Sequence, residues 1–356
     1  MDPIQTFRRE DIPEVLGLFR AAFVQNGNSG PGQLDTYLDR VFFESPWYDE
    51  ELPSLVYRDR RGAIIGFAGV QPRPLLLHGL RLRGAVATKL MVSPTGGDPL
   101  AAGRLLKKVF DGPQDLLFSD LGTDAGRRIW EGLGGTTALL YSLQWQRPVR
   151  PARHALSWLR ARGVPQLITA GLRPVCSVAD ALMARSSAGR FRDAAAGYTT
   201  DDLPVEVMAT EFPGVCADRA LRPEYDAQAL EWLLRVVQQH DPRRVLRRRL
   251  VRDARGEVVG WFLYFLEPGG VSEVVQLLAR KGAAASVFHQ LLMDAWSAGA
   301  VMLAGRLEPS MVRAMSVRHS FFRQEGPWTL AHAKQPAVLA TLLSGDAFLS
   351  RLEGEW

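Results

Sequence analysis

The stretch from Lys89 to Leu106 has the residue types of an anion-binding turn. An apolar strand runs into Pro94, a loop with two glycines follows, and residues 101–103 (Ala-Ala-Gly) open a helix. The first N–H groups of a helix have no partner within it, and the helix dipole adds positive potential, so a diphosphate binds well there. Small side chains let that group approach the backbone closely. We therefore expect a diphosphate site at this loop.

Carboxylates near this turn are the candidates for acid–base chemistry. Asp120, at the end of a predicted strand, is the best-placed general base, and Asp124 is second; each competes with a role in a turn or a cap. Asp98 precedes Pro99, a pattern typical of a helix N-cap followed by proline. A carboxylate there would bond the helix amides itself and repel a diphosphate.

The elements that would position these residues alternate between strands and helices. Glu10 to Phe23 has the apolar spacing of an amphipathic helix. Strands are predicted at 54–57, 63–70, 85–92, 115–120 and 138–146, a hairpin at 73–82, and helices at 99–110 and 124–133.

A hairpin pattern then occurs twice. The same order of residue types occurs in Arg61 to Phe67 and in Arg255 to Trp261. Each segment has a basic residue, a glycine, any one residue, two β-branched residues, a second glycine and an aromatic residue. Strands at 271–278 and 301–305 and helices at 283–297 and 311–319 follow the second copy in the same order. This repetition predicts two similar domains, at 1–147 and 205–356, joined by a helical connector at 148–204.

The first copy resembles the GCN5-related N-acetyltransferase (GNAT) superfamily, whose motif is roughly Val-x-Pro-x-x-Arg/Gln-x-x-Gly-x-Gly/Ala followed by a helix. Val92, Pro94 and Ala102 match that motif, whereas Gly97 and Leu100 depart from it. The resemblance implies an α/β (α+β) fold of two tandem GNAT-like domains. Each would have a mixed, mostly antiparallel sheet with flanking helices and a splayed parallel strand pair, here 85–92 and 115–120.

The resemblance also implies acetyl-CoA or another acyl-CoA as co-substrate, with no metal. A backbone N–H near Met91 or Val92 would donate a hydrogen bond to the thioester carbonyl. Trp130 occupies the position at which family members often have a tyrosine that acts as general acid. A rival site at Arg280 to Ala285 lacks the proline loop. The residues expected to bind the co-substrate are Met91, Val92, Ser93, Gly96, Gly97, Ala101, Ala102, Gly103 and Arg104.

The loop and the resemblance together imply an acyl-CoA-dependent N-acyltransferase, acetyl being the expected group, acting on a primary amine of a small molecule or an amino sugar. Two alternatives stay open: a non-catalytic binding module on the same scaffold, and a Fem-type aminoacyl-tRNA-dependent transferase, for which the arginine run at 243–255 is the only support. A net charge of +5 over 356 residues is modest, so we expect no nucleic-acid partner. Two isolated cysteines, no basic-then-apolar leader and no apolar run of about 20 residues favour a cytoplasmic protein without a membrane span. The acceptor and the oligomeric state stay undetermined.

Overall fold

The computed structural model describes residues 2–23, 31–93, 98–166, 171–182 and 197–356, which form two mixed sheets with flanking helices. The strands are β1 (Ile4–Thr6), β2 (Leu55–Arg58), β3 (Ile64–Leu77), β4 (Leu80–Val92), β5 (Leu116–Gly122), β6 (Thr136–Thr137), β7 (Gln144–Pro148), β8 (Thr199–Asp202), β9 (Leu221–Pro223), β10 (Val245–Arg252), β11 (Val258–Leu266), β12 (Val271–Ala279), β13 (Met302–Arg306), β14 (Phe321–Arg323) and β15 (Trp328–Ala333). The helices are α1 (Ile12–Phe23), α2 (Pro31–Phe42), α3 (Ala101–Phe110), α4 (Asp124–Gly132), α5 (Leu139–Ser142), α6 (Pro151–Ala161), α7 (171–182), α8 (Val205–Val215), α9 (Ala227–His240), α10 (Ala284–Ser297), α11 (Val312–Val317) and α12 (Pro336–Leu343).

The two sheets have the same plan. The first runs β1-β2-β3-β4-β5-β15-β6, with β9 also pairing with β3, and the second runs β8-β10-β11-β12-β13-β7-β14. In each sheet the parallel pair lies in the middle, β4 with β5 and β12 with β13, and the other pairs are antiparallel. This confirms the predicted fold class.

The repeated hairpin has the same hydrogen bonds in both copies. The Asp59 carboxylate accepts from the backbone N–H of Arg61 and Ala63, and the Asp253 carboxylate accepts from those of Arg255 and Glu257. An aspartate that bonds the backbone two residues ahead is a local turn signal. Local chemistry therefore forms this turn independently in each copy.

In each sheet, the strand next to the end of this order comes from the other half of the chain. β7 pairs with β13 and β14 of the second sheet, and β15 pairs with β5 and β6 of the first. One apolar core also joins residues of the two sheets, such as Phe67 and Trp261. The limits 1–147, 148–204 and 205–356 stay a prediction, and the exchange shows that neither sheet is formed by one of these segments alone.

Several predicted elements differ from the structure. The strand predicted at 138–146 is wrong: residues 139–142 are the helix α5, and a strand begins only at Gln144. The helix predicted from Pro99 begins at Ala101, because the Asp98 side chain bonds the N–H of Leu100 and forms a turn there. β3 is continuous from Ile64 to Leu77, with the predicted reversal at His78 and Gly79, both at positive φ. Within the described residues, no helix is both long and apolar enough to cross a bilayer.

Candidate functional site

The strands β4 and β5 separate after a short parallel contact and leave a cleft between them. Their register covers only Gly84 to Val86 on β4, although β4 continues to Val92. The opening is a cavity of about 320 Å³. We call it the β4–β5 cleft; its walls include Thr88, Val92, Ala102, Ser119, Trp130 and Glu355.

A bulge in β4 shapes the cleft wall. The register with β3 passes from Met91 opposite Phe67 to Thr88 opposite Gly69, so Lys89 and Leu90 together face the single residue Ala68, and Lys89 has φ of 52°. A bulge bends its strand and interrupts the ladder. It therefore turns the end of β4 away from β5.

The N–H of Val92 points into this cleft. Ser93 N–H bonds the carbonyl of Ile65 at 2.8 Å, and bonded and non-bonded pairs alternate in an antiparallel ladder. Val92, opposite Gly66, is thus in a non-bonded pair, and its N–H faces the edge from which β5 has departed. Met91, by the same alternation, is bonded to β3, and its side chain is buried. Of the two predicted donors, Val92 is the one whose N–H is turned toward the opening.

The first turn of α3 lies at the mouth of the cleft. Ala101 N–H bonds the carbonyl of Asp98 and Arg104 N–H bonds that of Leu100. Among the described residues the N–H groups of Ala102 and Gly103 have no acceptor, and a Cβ built on Gly103 would meet nothing within 4 Å. The predicted residues Gly96 and Gly97 lie outside the described residues. The described part of the predicted turn therefore keeps two unbonded N–H groups that a diphosphate could occupy.

Asp98 is turned away from these two N–H groups. One of its oxygens accepts from Leu100 N–H at 2.9 Å, and the other accepts from the Tyr57 hydroxyl and from Arg104. The Tyr57 hydroxyl and then the Leu100 N–H hold the pKa of Asp98 below its ordinary value. It is thus an anion tied to the loop, and the half-exposed Arg104 beside it adds positive charge at the mouth.

Glu355 is the carboxylate that faces the cleft. Its side chain lines the cavity, and its two oxygens accept from the hydroxyls of Thr88 at 2.6 Å and Ser119 at 2.7 Å. Thr88 lies on β4 and Ser119 on β5, so Glu355 bridges the two strands where they separate. Sequence reasoning missed it, because nothing near Glu355 in the chain indicates a return to a strand more than 230 positions away.

Asp120 lies behind Glu355. One of its oxygens accepts the N–H of Glu355 at 2.8 Å, and the other accepts from Arg306 and Arg351. Burial acts to raise the pKa of Asp120, but Arg351 and Arg306 outweigh burial and hold the pKa below its ordinary value. With both oxygens bonded inside the protein, Asp120 faces the backbone that carries Glu355 rather than the cavity.

Trp130 supports the cleft wall. Its indole N–H donates to the carbonyl of Ala331 on β15 at 2.9 Å, and its ring packs edge-on against Phe110. An indole donates and does not release a proton at neutral pH. Asp124 likewise has a structural contact, since it accepts from the indole of Trp328 at 2.7 Å.

The equivalent cleft in the second sheet is filled. β12 and β13 also separate beyond Val274, yet the space between them is only about 20 Å³. We call it the β12–β13 cleft; its lining includes Gln276, Leu307, Leu349, Ser350 and Arg351. Residues 349–351 of the chain itself take up this opening. Among the described residues, the cleft beside the rival site at Arg280 to Ala285 therefore has too little space for a ligand arm, and Arg280 pairs with Glu211.

Members of the arginine run are engaged within the protein. Arg247 and Arg249 share the buried carboxylate of Asp294, Arg244 pairs with Asp241 and Glu273, and Arg252 pairs with Asp201. These ion pairs hold four arginines of the run against carboxylates of the protein itself.

The fold is that of GCN5-related N-acetyltransferases. The chain is similar to a conserved protein of unknown function from Enterococcus faecalis V583 described as a probable N-acyltransferase (TM-score 0.59, 10% identity, 93% of this chain and 72% of that one). It is also similar to GCN5-related N-acetyltransferases from Anabaena variabilis ATCC 29413 (TM-score 0.60, 10% identity, 94% and 73%) and Kribbella flavida (TM-score 0.55, 13% identity, 93% and 70%). No protein-family model and no curated protein matches the sequence. At these identities the likeness establishes the fold alone.

Proposed function

We propose that the chain is an acyl-CoA-dependent N-acyltransferase whose site is the β4–β5 cleft. The observation that carries this proposal is the placement around one open cavity of unbonded N–H groups at its mouth, a backbone donor on its wall and a carboxylate inside it. Ala102 and Gly103 would bind the diphosphate, with Arg104 nearby, and the pantetheine arm would lie between the strands. Met91, Ser93 and Ala101 stay predicted members of this site, and Gly96 and Gly97, which lie outside the described residues, stay predictions from the sequence.

The reaction is a direct transfer. The amine nitrogen attacks the thioester carbonyl carbon, a carbon–nitrogen bond forms, the carbon–sulfur bond breaks, and the sulfur leaves as a thiolate. The N–H of Val92 would stabilise the negative charge that develops on the carbonyl oxygen, which is commonly the largest contribution of such a site. The proton lost by the amine passes to Glu355.

Within this proposal Glu355 takes the role of base that the sequence assigned to Asp120. Thr88 and Ser119 hold its oxygens in place, and Asp120 holds its backbone. Asp120 is then a positioning residue. This carboxylate in the cleft favours an enzyme over a non-catalytic module. The ion pairs that Arg244, Arg247, Arg249 and Arg252 form within the protein count against the tRNA-dependent alternative.

We extend the proposal to acetyl as the transferred group and to the primary amine of a small molecule or an amino sugar as the acceptor. The test is a calorimetric titration with acetyl-CoA, followed by an assay for thiol release with a panel of primary amines. Saturable binding and amine-dependent thiol release are expected. If acetyl-CoA does not bind at millimolar concentration, the acyltransferase proposal is rejected. If acetyl-CoA binds but no amine causes thiol release, the non-catalytic binding module is favoured.

A further inference from the structure

A second cavity, of about 650 Å³, lies along the part of β3 that has no neighbouring strand on one side. β2 pairs with β3 only as far as Ala68, and β9 pairs with it only from Leu75. The gap is bordered by Trp47, Pro72, Arg73 and Tyr225. Proline has no N–H to leave unbonded at such an edge. We call this space the β3-edge cavity.

Arg73 is a buried cation without an ion pair in this cavity. Only 3% of its surface is exposed, and among the described residues it forms no salt bridge. It donates to the carbonyl of Pro72 and to the side chain of Gln71, and its plane lies near the rings of Trp47 and Trp232. A guanidinium has five N–H donors, and the Nε of Arg73 has no acceptor.

Other donors around Arg73 are also unsatisfied. Within the described residues, the amide nitrogen of Gln71, the indole nitrogen of Trp232 and the hydroxyl of Tyr37 are buried without a hydrogen-bond partner. Buried polar atoms are nearly always bonded, and each unbonded one is costly. Of these residues only Arg73 lines the β3-edge cavity, and the carboxylates of Glu353 and Asp120 act on it from beyond ion-pair distance. Arg73 is therefore the donor that a carboxylate entering this cavity would meet.

Arg73 lies on the same strand as Gly69, which lines the β4–β5 cleft. Arg73, Gln71 and Gly69 alternate along one face of β3, and Gly69 lies opposite Thr88, which bonds Glu355. Arg73 and Gly69 are about 13 Å apart along the strand, since a strand rises about 3.3 Å per residue.

We infer that Arg73 binds a carboxylate of the acceptor, and that the acceptor is a primary amine with a carboxylate several atoms away, such as an ω-amino acid or the N-terminus of a short peptide. This inference rests on the proposed acyl transfer and adds the substrate class. Arginine matches the planar carboxylate with two parallel bonds. A phosphate dianion fits less well, because the lining has five carboxylates (Asp49, Glu50, Asp115, Glu224 and Asp226) against three guanidiniums (Arg73, Arg81 and Arg83).

The test compares matched acceptors in the wild-type enzyme with acetyl-CoA. The probes are ω-amino acids of increasing chain length, primary alkylamines of the same length without the carboxylate, and glycylglycine. We expect kcat/KM at least tenfold higher with the carboxylate, with an optimum beyond glycine; a preference for glycylglycine over the ω-amino acids would identify a peptide source. Equal or lower kcat/KM with the carboxylate would overturn the inference while leaving the acyltransferase proposal intact, which a separate acetyl-CoA titration would confirm.

Two variants refine the test. Arg73→Met should abolish the preference by raising KM for the amino acids at least tenfold while leaving the alkylamines unchanged, and Arg73→Lys should restore part of it. Arg235→Met, on the exposed face of α9, is the matched control and should leave both substrates unchanged. A preference that survives Arg73→Met overturns the inference, and if that variant does not fold, the wild-type comparison alone decides.

Discussion

The backbone N–H of Glu355 donates to the buried carboxylate of Asp120 at 2.8 Å, across 235 positions of sequence. The same carboxylate accepts from Arg306, at the end of β13, and from Arg351. A Cβ built on Gly354 would come within 1.9 Å of an Asp120 oxygen, so only glycine allows this approach. Asp120 thus joins the first sheet, the second sheet and the segment that carries the candidate base.

Glu355→Gln should remove the base and leave co-substrate binding intact. The amide keeps the size of the side chain but cannot take the proton, and loss of a general base typically costs about 10²–10⁴-fold in rate. We expect kcat to fall by that range with the acetyl-CoA affinity within about twofold of the wild type. The measurement is thiol release under saturation, together with calorimetry. Glu257→Gln, in an exposed turn, is the control, and unchanged kcat in Glu355→Gln would remove Glu355 from the mechanism.

Gly103→Asp should weaken acyl-CoA binding without destabilising the protein. A carboxylate in the first turn of a helix is favoured by the helix dipole, and a Cβ here meets nothing, so the free energy of unfolding should not fall. The same carboxylate would repel a diphosphate, and we expect Kd to rise tenfold or more. Ser286→Asp, at the equivalent position of α10, is the matched control. Equal affinities of the two variants and the wild type would place the diphosphate elsewhere.

One molecule of acyl-CoA should bind per chain. The β4–β5 cleft has about 320 Å³ of space, whereas residues 349–351 reduce the β12–β13 cleft to about 20 Å³. Calorimetric stoichiometry measures this directly, with the total protein concentration determined by amino-acid analysis. A stoichiometry of two would show that residues 349–351 move out of the β12–β13 cleft when acyl-CoA binds.

Asp120→Asn should destabilise the protein strongly near neutral pH. It leaves the buried guanidiniums of Arg306 and Arg351 without a charge partner, and breaking a buried pair costs about 3–5 kcal/mol. The pKa of Asp120 is lowered in the folded state, so its contribution is present above the ordinary aspartate pKa of about 3.9 and is lost as the pH falls through the folded value. Urea unfolding at pH 7 and at pH 3 should show the difference between variant and wild type shrinking in acid.

The control for Asp120→Asn is Asp202→Asn, which removes an exposed partner of Arg249. Exposed pairs contribute about 0–1 kcal/mol, so this variant should stay close to the wild type at every pH. Comparable losses in both variants would contradict the central role assigned to Asp120.

Glu308→Gln should change how stability depends on pH. Burial raises the pKa of Glu308 to about 7, although Ser310 and Arg219 partly offset that rise. A carboxyl with a raised folded pKa contributes most below its unfolded pKa, and that contribution is lost as the pH rises through about 7. The variant should therefore gain stability relative to the wild type between pH 5 and pH 8, measured by urea unfolding. Parallel profiles would show that Glu308 stays charged in the folded protein.

Much of the fold was predictable because its signals are local. The Asp59 and Asp253 turns, the reversal at His78 and Gly79, and the small residues that open α3 depend on atoms within a few positions of each other. The predicted strand at 138–146 was wrong because a short buried apolar run fits a strand or a helix equally well. At this position the helix is stabilised by the hydrogen bond from the Tyr141 hydroxyl to the carbonyl of Ala347 and by the pairing of β6 with β15.

The sequence by itself determined the repeated αβ pattern and its hairpin turns, since spacing and turn chemistry act between near neighbours, and its resemblance to the GNAT superfamily implied the fold. Only the tertiary structure decided which strands complete each sheet, which of the two clefts is open, and that Glu355 rather than Asp120 faces the cavity. These features depend on contacts between residues as far apart as Thr88 and Glu355. Such contacts form only when the whole core packs, and no local pattern specifies them.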